Sequence, residues 1–281
     1  MVVTGILAGI MVLFIRRPVQ NYTDAAARAE LSDAADLALR RMARELRTAL
    51  PNSVRLTGLP GGVWWLEFIP TKSGGKYLAA EDNPDVSNDP LVGKPLSFTN
   101  TVAQPFNVIG PMPRVAVNDF IVIYNLGPGF LSADAYIRSN LARVTAMDTG
   151  KRSISYTSHG GAAGANPFAV AAGNIPNTSP AQRFQVVTRP VTFRCEGNAN
   201  GTGTLTRSEA DFLAAQPLPG RNAGSLLANN VVDCDFTIGN SGNQLSALIG
   251  LNLSLGRPGL GGNKAVETVT LTHQIHVDNI P

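Results

Sequence analysis

The residues best suited to chemistry near neutral pH are few in this chain: three histidines and two cysteines among 281 residues. His273 and His276 stand three apart in a segment of strand-like alternation, Val266 to Val277. On a strand that spacing sends side chains to opposite faces, so the two cannot share a metal ion as they would one helical turn apart. His159 follows Ser158 in a glycine-rich stretch, with no evident carboxylate partner and no G-x-S-x-G elbow, and Gly160 to Gly164 lacks the lysine and following helix of a phosphate loop. Asp82, Asp85 and Asp89 crowd one loop and are weak calcium candidates. Pro84 and Pro90 interrupt them and the glycine and glutamate of an EF-hand loop are missing, so a solvated acidic loop is the better reading. Two cysteines cannot build a zinc ribbon. Because no acid, base and nucleophile converge, the chain reads as a non-enzyme, with no catalytic residue, no cofactor and no metal.

Cys195 and Cys234 carry more information. Both lie in β-patterned segments, Val191 to Cys195 and Val231 to Phe236, too far apart for a C-x-x-C redox motif. If the chain is exported to an oxidising compartment, a disulfide is expected, closing a loop of about 39 residues and worth roughly 4 kcal/mol on the chain-entropy estimate. Two buried free thiols are the alternative. Trp64 and Trp65 are neighbours in a strand pattern, so one faces the core and the other is free to make a contact.

The elements that must position these residues fall into two parts. Hydrophobic residues are 44% of the chain and charged residues 15%, which excludes a disordered or highly charged class. The formal charge of +3 belongs to the N-terminal part: residues 1 to 60 hold eight Lys/Arg against five Asp/Glu, and the remainder is balanced. No basic stripe interleaved with aromatics occurs, so nucleic acid is not an expected partner. Met1 to Ile15 carries no charge, with Val2, Ile6, Leu7, Ile10, Leu13, Phe14 and Ile15 as its bulky apolar residues, and Arg16-Arg17-Pro18 ends it. Fifteen helical residues span about 22 Å, short of the ~30 Å hydrocarbon core of a bilayer. The order of charges is the reverse of a secretory signal, and Gly5 and Gly9 suit a membrane better than a soluble helix. A buried helix and an apolar segment that begins upstream of Met1 are both open.

After Pro18 a helical pattern is predicted as far as Leu50, where Pro51 and Asn52 stop it. Leu31, Ala35, Ala38, Met42, Leu46 and Ala49 recur at three- and four-residue spacing, and Leu39 and Leu50 widen the stripe. The other face is charged, from Asp24 and Arg28 to Arg44, Glu45 and Arg47, with Asp24/Arg28 and Asp36/Arg40 as i,i+4 pairs on a solvated surface. The stripe needs a body to pack on. That body begins at Pro51, beyond which nearly all the glycine and proline lies. Strands are predicted at Val63 to Ile69, Val115 to Asn125, Leu141 to Met147, Ser153 to Thr157, Arg183 to Thr188, Val191 to Cys195, Val231 to Ile238, Gln244 to Leu255 and Val266 to Val277, the last two as an antiparallel hairpin. Lys72 to Pro95, His159 to Pro180 and Gly239 to Asn243 read as loops. The expected fold is α+β: a long N-terminal amphipathic helix over residues 1–50, packed on a mainly antiparallel β-sheet head with long loops over 51–281.

The order of Val2-Val-Thr-Gly-Ile-Leu-Ala-Gly-Ile10, the polar switch at Arg16-Arg17-Pro18, an amphipathic helix and a β-rich remainder resembles type IV pilins and type II secretion pseudopilins. Arg183 to Cys195, Leu226 to Phe236 and the closing Val269 to Pro281 resemble the minor pilins of the mannose-sensitive haemagglutinin (MSHA) pilus system, themselves similar to the J-type minor pseudopilins. The resemblance implies a membrane-anchored structural subunit of a Gram-negative bacterium, with its head in the periplasm and later on a pilus. The implied partners are other minor pilins and the major pilin through the N-terminal helix, the inner membrane before assembly, and a prepilin peptidase if the precursor carries a leader. The family's basic leader, cleavage-site glycine, N-methylated phenylalanine and nearby glutamate do not precede Val2, so a start upstream of Met1 is expected. The alternatives are a type II secretion pseudopilin and a membrane-anchored periplasmic adhesin or binding protein.

Overall fold

The computed structural model describes residues 2–82, 93–170, 177–240, 246–258 and 266–281. Within the helix, side chains are described for Tyr22 and from Ala25 onward; those of Asn240 and Pro258 are not described. In chain order the elements are α1 (Val2–Leu46), β1 (Arg55–Gly58), β2 (Val63–Phe68), β3 (Thr71–Tyr77), β4 (Phe106–Ile109), β5 (Phe120–Val122), β6 (Leu141–Asp148), β7 (Ser153–Ser158), β8 (Arg183–Val187), β9 (Val191–Glu196), β10 (Gly203–Glu209), β11 (Ser225–Asn240), β12 (Ser246–Pro258) and β13 (Val266–Asp278).

The strands form two antiparallel bodies. Seven make an open sheet in the order β1-β2-β9-β10-β11-β12-β13, and six close into a barrel in the order β3-β4-β7-β6-β5-β8. The sheet's inner face follows from alternation along its strands. Ala247, Ile249, Leu251, Leu253 and Leu255 on β12 are buried, together with Ile275 and Val277 on β13 and Cys234 and Phe236 on β11. Leu31, Ala35, Ala38, Leu39, Met42, Ala43 and Leu46 of α1 belong to the same hydrophobic cluster. The helix stops at Leu46 rather than Leu50 because Ala49 bridges Pro70 and the Leu50 N–H donates to the Ile69 carbonyl at 2.7 Å. Pairing with the sheet's continuation replaces the last helical turn.

The barrel is filled by aromatic rings. Phe106 lies edge-on to Tyr156 and Phe184, at centroid separations of 5.8 and 5.5 Å, and Tyr156 lies 5.3 Å from Phe168. A third cluster, including Leu50, Ile69, Phe120, Tyr136, Leu141, Val187 and Phe212, joins barrel to sheet. The chain crosses between the two bodies at β2 to β3 and again at β8 to β9, through the short segments at Ile69-Pro70 and Thr188 to Pro190.

This architecture corrects the α+β expectation. The structure has large antiparallel sheets and a single α-helix among the described residues, so the fold is mainly β. The body is a sheet plus a closed barrel instead of one head sheet carried on a long helix. The strands that make the difference had no legible alternation. β3, Thr-Lys-Ser-Gly-Gly-Lys-Tyr, lies where a loop was expected, β4 and β10 fall outside every predicted strand, and only Phe120–Val122 of Val115 to Asn125 is a strand.

Candidate functional site

The helix–sheet seam is the largest side-chain constellation that the fold assembles. Leu39, Met42 and Leu46 have no exposed surface, and Leu31, Ala35 and Ala38 are nearly as buried. Three charged residues of the helix reach across to the sheet: Arg28 pairs with Glu267 on β13, Glu30 with Arg257 on β12 at 3.4 Å, and Glu45 with Arg207 on β10 at 2.8 Å. The side chain of Asp24, the helical partner expected for Arg28, lies outside the described set, while Arg40 and Asp36 form their i,i+4 pair at 2.7 Å. Pairs this exposed fix register more than they add stability. The seam holds the helix on the sheet and sets its orientation.

Cys195 on β9 and Cys234 on β11 form a disulfide on the same inner face. Trp64 faces that core, and Trp65 lies on the opposite side of β2. Trp65 is not a free contact residue: its Nε1 donates to the Pro219 carbonyl at 3.1 Å, and Gln216 Nε2 donates to its own carbonyl at 2.9 Å. The segment between β10 and β11 covers it.

A buried arginine–carboxyl pair sits where sheet meets barrel. Arg55 of β1 donates from Nε and Nη2 to Glu67 Oε2 of β2, at 2.9 and 2.5 Å, and from Nη1 to the Ala214 carbonyl at 2.7 Å. Its guanidinium lies 3.5 Å from the centroid of the Tyr136 ring, whose hydroxyl donates to the Ser53 carbonyl at 2.7 Å. Burial raises the Glu67 carboxyl to about 7, against the lowering effect of Arg55, and its Oε1 has no hydrogen-bond partner among the described residues. Burial likewise pushes the Tyr136 phenol well above its ordinary value, and raises the Asp134 carboxyl despite the N–H donated to it by Tyr136.

The folded chain thus holds a proton on Glu67 that the unfolded chain has released between pH 4.5 and about 7, so stability falls as pH rises through that window, by on the order of 3 kcal/mol. Glu67→Gln is expected to flatten that slope, because the amide keeps an acceptor for Arg55 without the charge. Chemical denaturation at pH 5 and pH 8 measures it; parallel pH profiles for the two proteins would refute the assignment.

His159 does have a carboxylate partner, one that sequence proximity could not reveal. Its Nε2 lies 2.8 Å from Asp211 Oδ1, 52 residues away, and Arg138 Nη2 donates to Asp211 Oδ2 at 3.1 Å. Phe120 and Phe212 approach the imidazole edge-on at 4.9 and 5.9 Å. Burial acts to raise the Asp211 carboxyl, but the His159 hydrogen bond, the Phe212 N–H and the charges of His159 and Arg138 together lower it. The arrangement clasps a barrel loop to the segment after β10. His273 and His276 alternate between the inner and outer faces of β13, opposite Leu251 and Leu248.

Other expected residues are not assembled into a site. Asp82 ends a short 3-10 turn, Ala80–Asp82, whereas Asp85 and Asp89 lie outside the described residues. Among the described residues no group of three or more His, Cys, Asp and Glu side chains is arranged to hold a metal ion. The side chains of Val2, Ile6, Leu7, Ile10, Leu13, Phe14 and Ile15 lie outside the described set, although their backbone is helical. Among the described residues no helix is long and apolar enough to cross a membrane. A cavity of about 610 Å³ opens on the barrel, lined among others by Tyr77, Phe98, Asn100 and Gln104, with one carboxylate, Glu81, and one amine, Lys94. Compared with known proteins, the chain matches no family model, no curated protein and no solved structure.

Proposed function

We propose that this protein is a structural subunit of an extracytoplasmic filament, a minor pilin of an MSHA-like type IV pilus that acts in starting assembly and stands at or near the tip. The observation that carries the reading is one unbroken helix, Val2–Leu46, whose first fifteen or so residues are apolar and uncharged and whose later turns bury a stripe in the body of the protein. A segment of that kind anchors in lipid before assembly and exchanges lipid for neighbouring helices afterwards, held by close packing of small and apolar residues. The head would then lie in the periplasm, where the Cys195–Cys234 bond persists.

Co-purification tests the proposal. The full-length chain, expressed with the pilin and minor pilin genes of a piliated Gram-negative host and extracted in mild detergent, is expected to bring down other minor pilins and to bind no glycan on an array. Recovery with secretion pseudopilins alone would move it to a type II secretion system. Glycan binding without any pilin partner would make it an adhesin.

A further inference from the structure

The two bodies treat their edges differently. The barrel closes and so has none. At one side of the open sheet, β1 is four residues long and is guarded by the segment after β10, through Arg55 to the Leu213 and Ala214 carbonyls and Thr57 to Gln216 at 2.9 Å. At the other side stands β13, thirteen residues long, paired with β12 over its whole length without a bulge. Among the described residues no strand pairs with its outer side. Every second residue of such an edge turns both its N–H and its C=O outward. Soluble proteins protect long edges with proline, lysine, bulges or brevity. β13 has no proline, no glycine, no lysine and no arginine, and its two carboxylates, Glu267 and Asp278, stand near its ends. Seven of its residues are β-branched, the composition best suited to pairing.

The side chains point the same way. Val269 and Leu271, on the face toward α1, are only partly buried at the rim of the core, while Ile275 and Val277 further along are fully covered. Thr268, Thr270 and Thr272 face water on the other side, Thr270 hydrogen-bonded across to Ser254 at 2.7 Å.

We propose that the free edge of β13 receives an extended segment of another protein, adding an eighth, antiparallel strand to the sheet. The recognised segment alternates apolar residues, which complete the burial of Val269 and Leu271, with hydroxyl residues that continue the threonine row. It carries no carboxylate opposite Asp278 and is best ended there by lysine or arginine, the charge of Glu267 being already met by Arg28. The choice of a foreign strand over a second copy rests on the filament reading: a two-fold edge pairing would set two α1 helices in opposite directions, which chains anchored by the same end cannot adopt.

The test uses the full-length chain in detergent and a synthetic eleven-residue peptide of alternating valine and threonine with a lysine at each end. Adding the peptide is expected to slow amide exchange across residues 266–278 at least ten-fold. The same peptide N-methylated at alternate residues, unable to pair, should have no effect. Thr268→Lys with Thr272→Lys should abolish the protection while leaving the melting temperature within about 2 °C, as both side chains are exposed. No protection by the unmodified peptide, or equal protection by the methylated one, would overturn the proposal. A chain that already protects residues 266–278 by dimerising, with the lysine variant monomeric, would overturn the foreign partner. Failure of these arms leaves co-purification with pilins unaffected, so the two readings fail separately.

Discussion

Replacing both Cys195 and Cys234 by alanine is expected to lower the stability of the protein by about 4 kcal/mol. The bond closes a loop with a sequence separation of 39 residues, and its main effect is on the unfolded chain, which loses the freedom to separate β9 from β11. Both cysteines are buried on the inner face of the sheet, in the cluster that also receives α1. The double variant leaves two small voids there, which add to the loss. Urea unfolding of the oxidised protein against the double variant gives the difference directly, and reduction of the wild-type protein should reproduce most of it. A change under 1 kcal/mol would show that the sheet holds β9 and β11 together without help from the bond.

Truncating Leu39 to alanine should cost about 2–5 kcal/mol, the range for a fully buried leucine whose surroundings relax incompletely. Leu39 has no exposed surface, and Met42 and Leu46 flank it in the same cluster. Alanine is a slightly better helix former, which offsets only a few tenths of a kcal/mol. Leu37, two residues earlier and 69% exposed, is the control: Leu37→Ala should be close to neutral. Thermal melts of the two variants separate burial from helix propensity. Equal and small shifts would mean that α1 is not held by its stripe.

The stripe and the last hairpin were legible because each repeats a simple period. Leu31 to Leu46 recur at helical spacing, and β12 alternates Ala247, Ile249, Leu251, Leu253 and Leu255 with Ser246, Leu248, Gly250, Asn252 and Ser254, of which Leu248 alone is large and apolar. The barrel was not legible, for a physical reason seen at β3. Gly74 and Gly75 read as a turn, yet they sit in a strand; a Cβ on Gly75 would stand 2.9 Å from the Phe184 ring that packs across it. Glycine there admits an aromatic neighbour from β8 that is distant in sequence. β5, three residues long, is too short to show a period. The α+β expectation failed with these strands, since the helix and the hairpin were the strongest signals and the barrel was silent. Long-range partners were equally hidden. Asp211 meets His159 only because the segment after β10 folds back onto the barrel, and Arg28 meets Glu267, 239 residues away, across the helix–sheet seam. The Cys195–Cys234 bond, expected if the chain is exported to an oxidising compartment, is present, and both cysteines lie on strands as their patterning indicated.

In the proposed function the N-terminal helix packs among the helices of a filament. A photo-crosslinking amino acid at Ile10, in cells that express the full set of pilus genes, tests it most directly. The claim requires crosslinks from Ile10 to the N-terminal helices of pilin-class subunits in sheared filaments or assembly complexes, and to lipid alone when those subunits are absent. A well-expressed protein whose Ile10 crosslinks only within its own chain, with or without the other pilus genes, would contradict it.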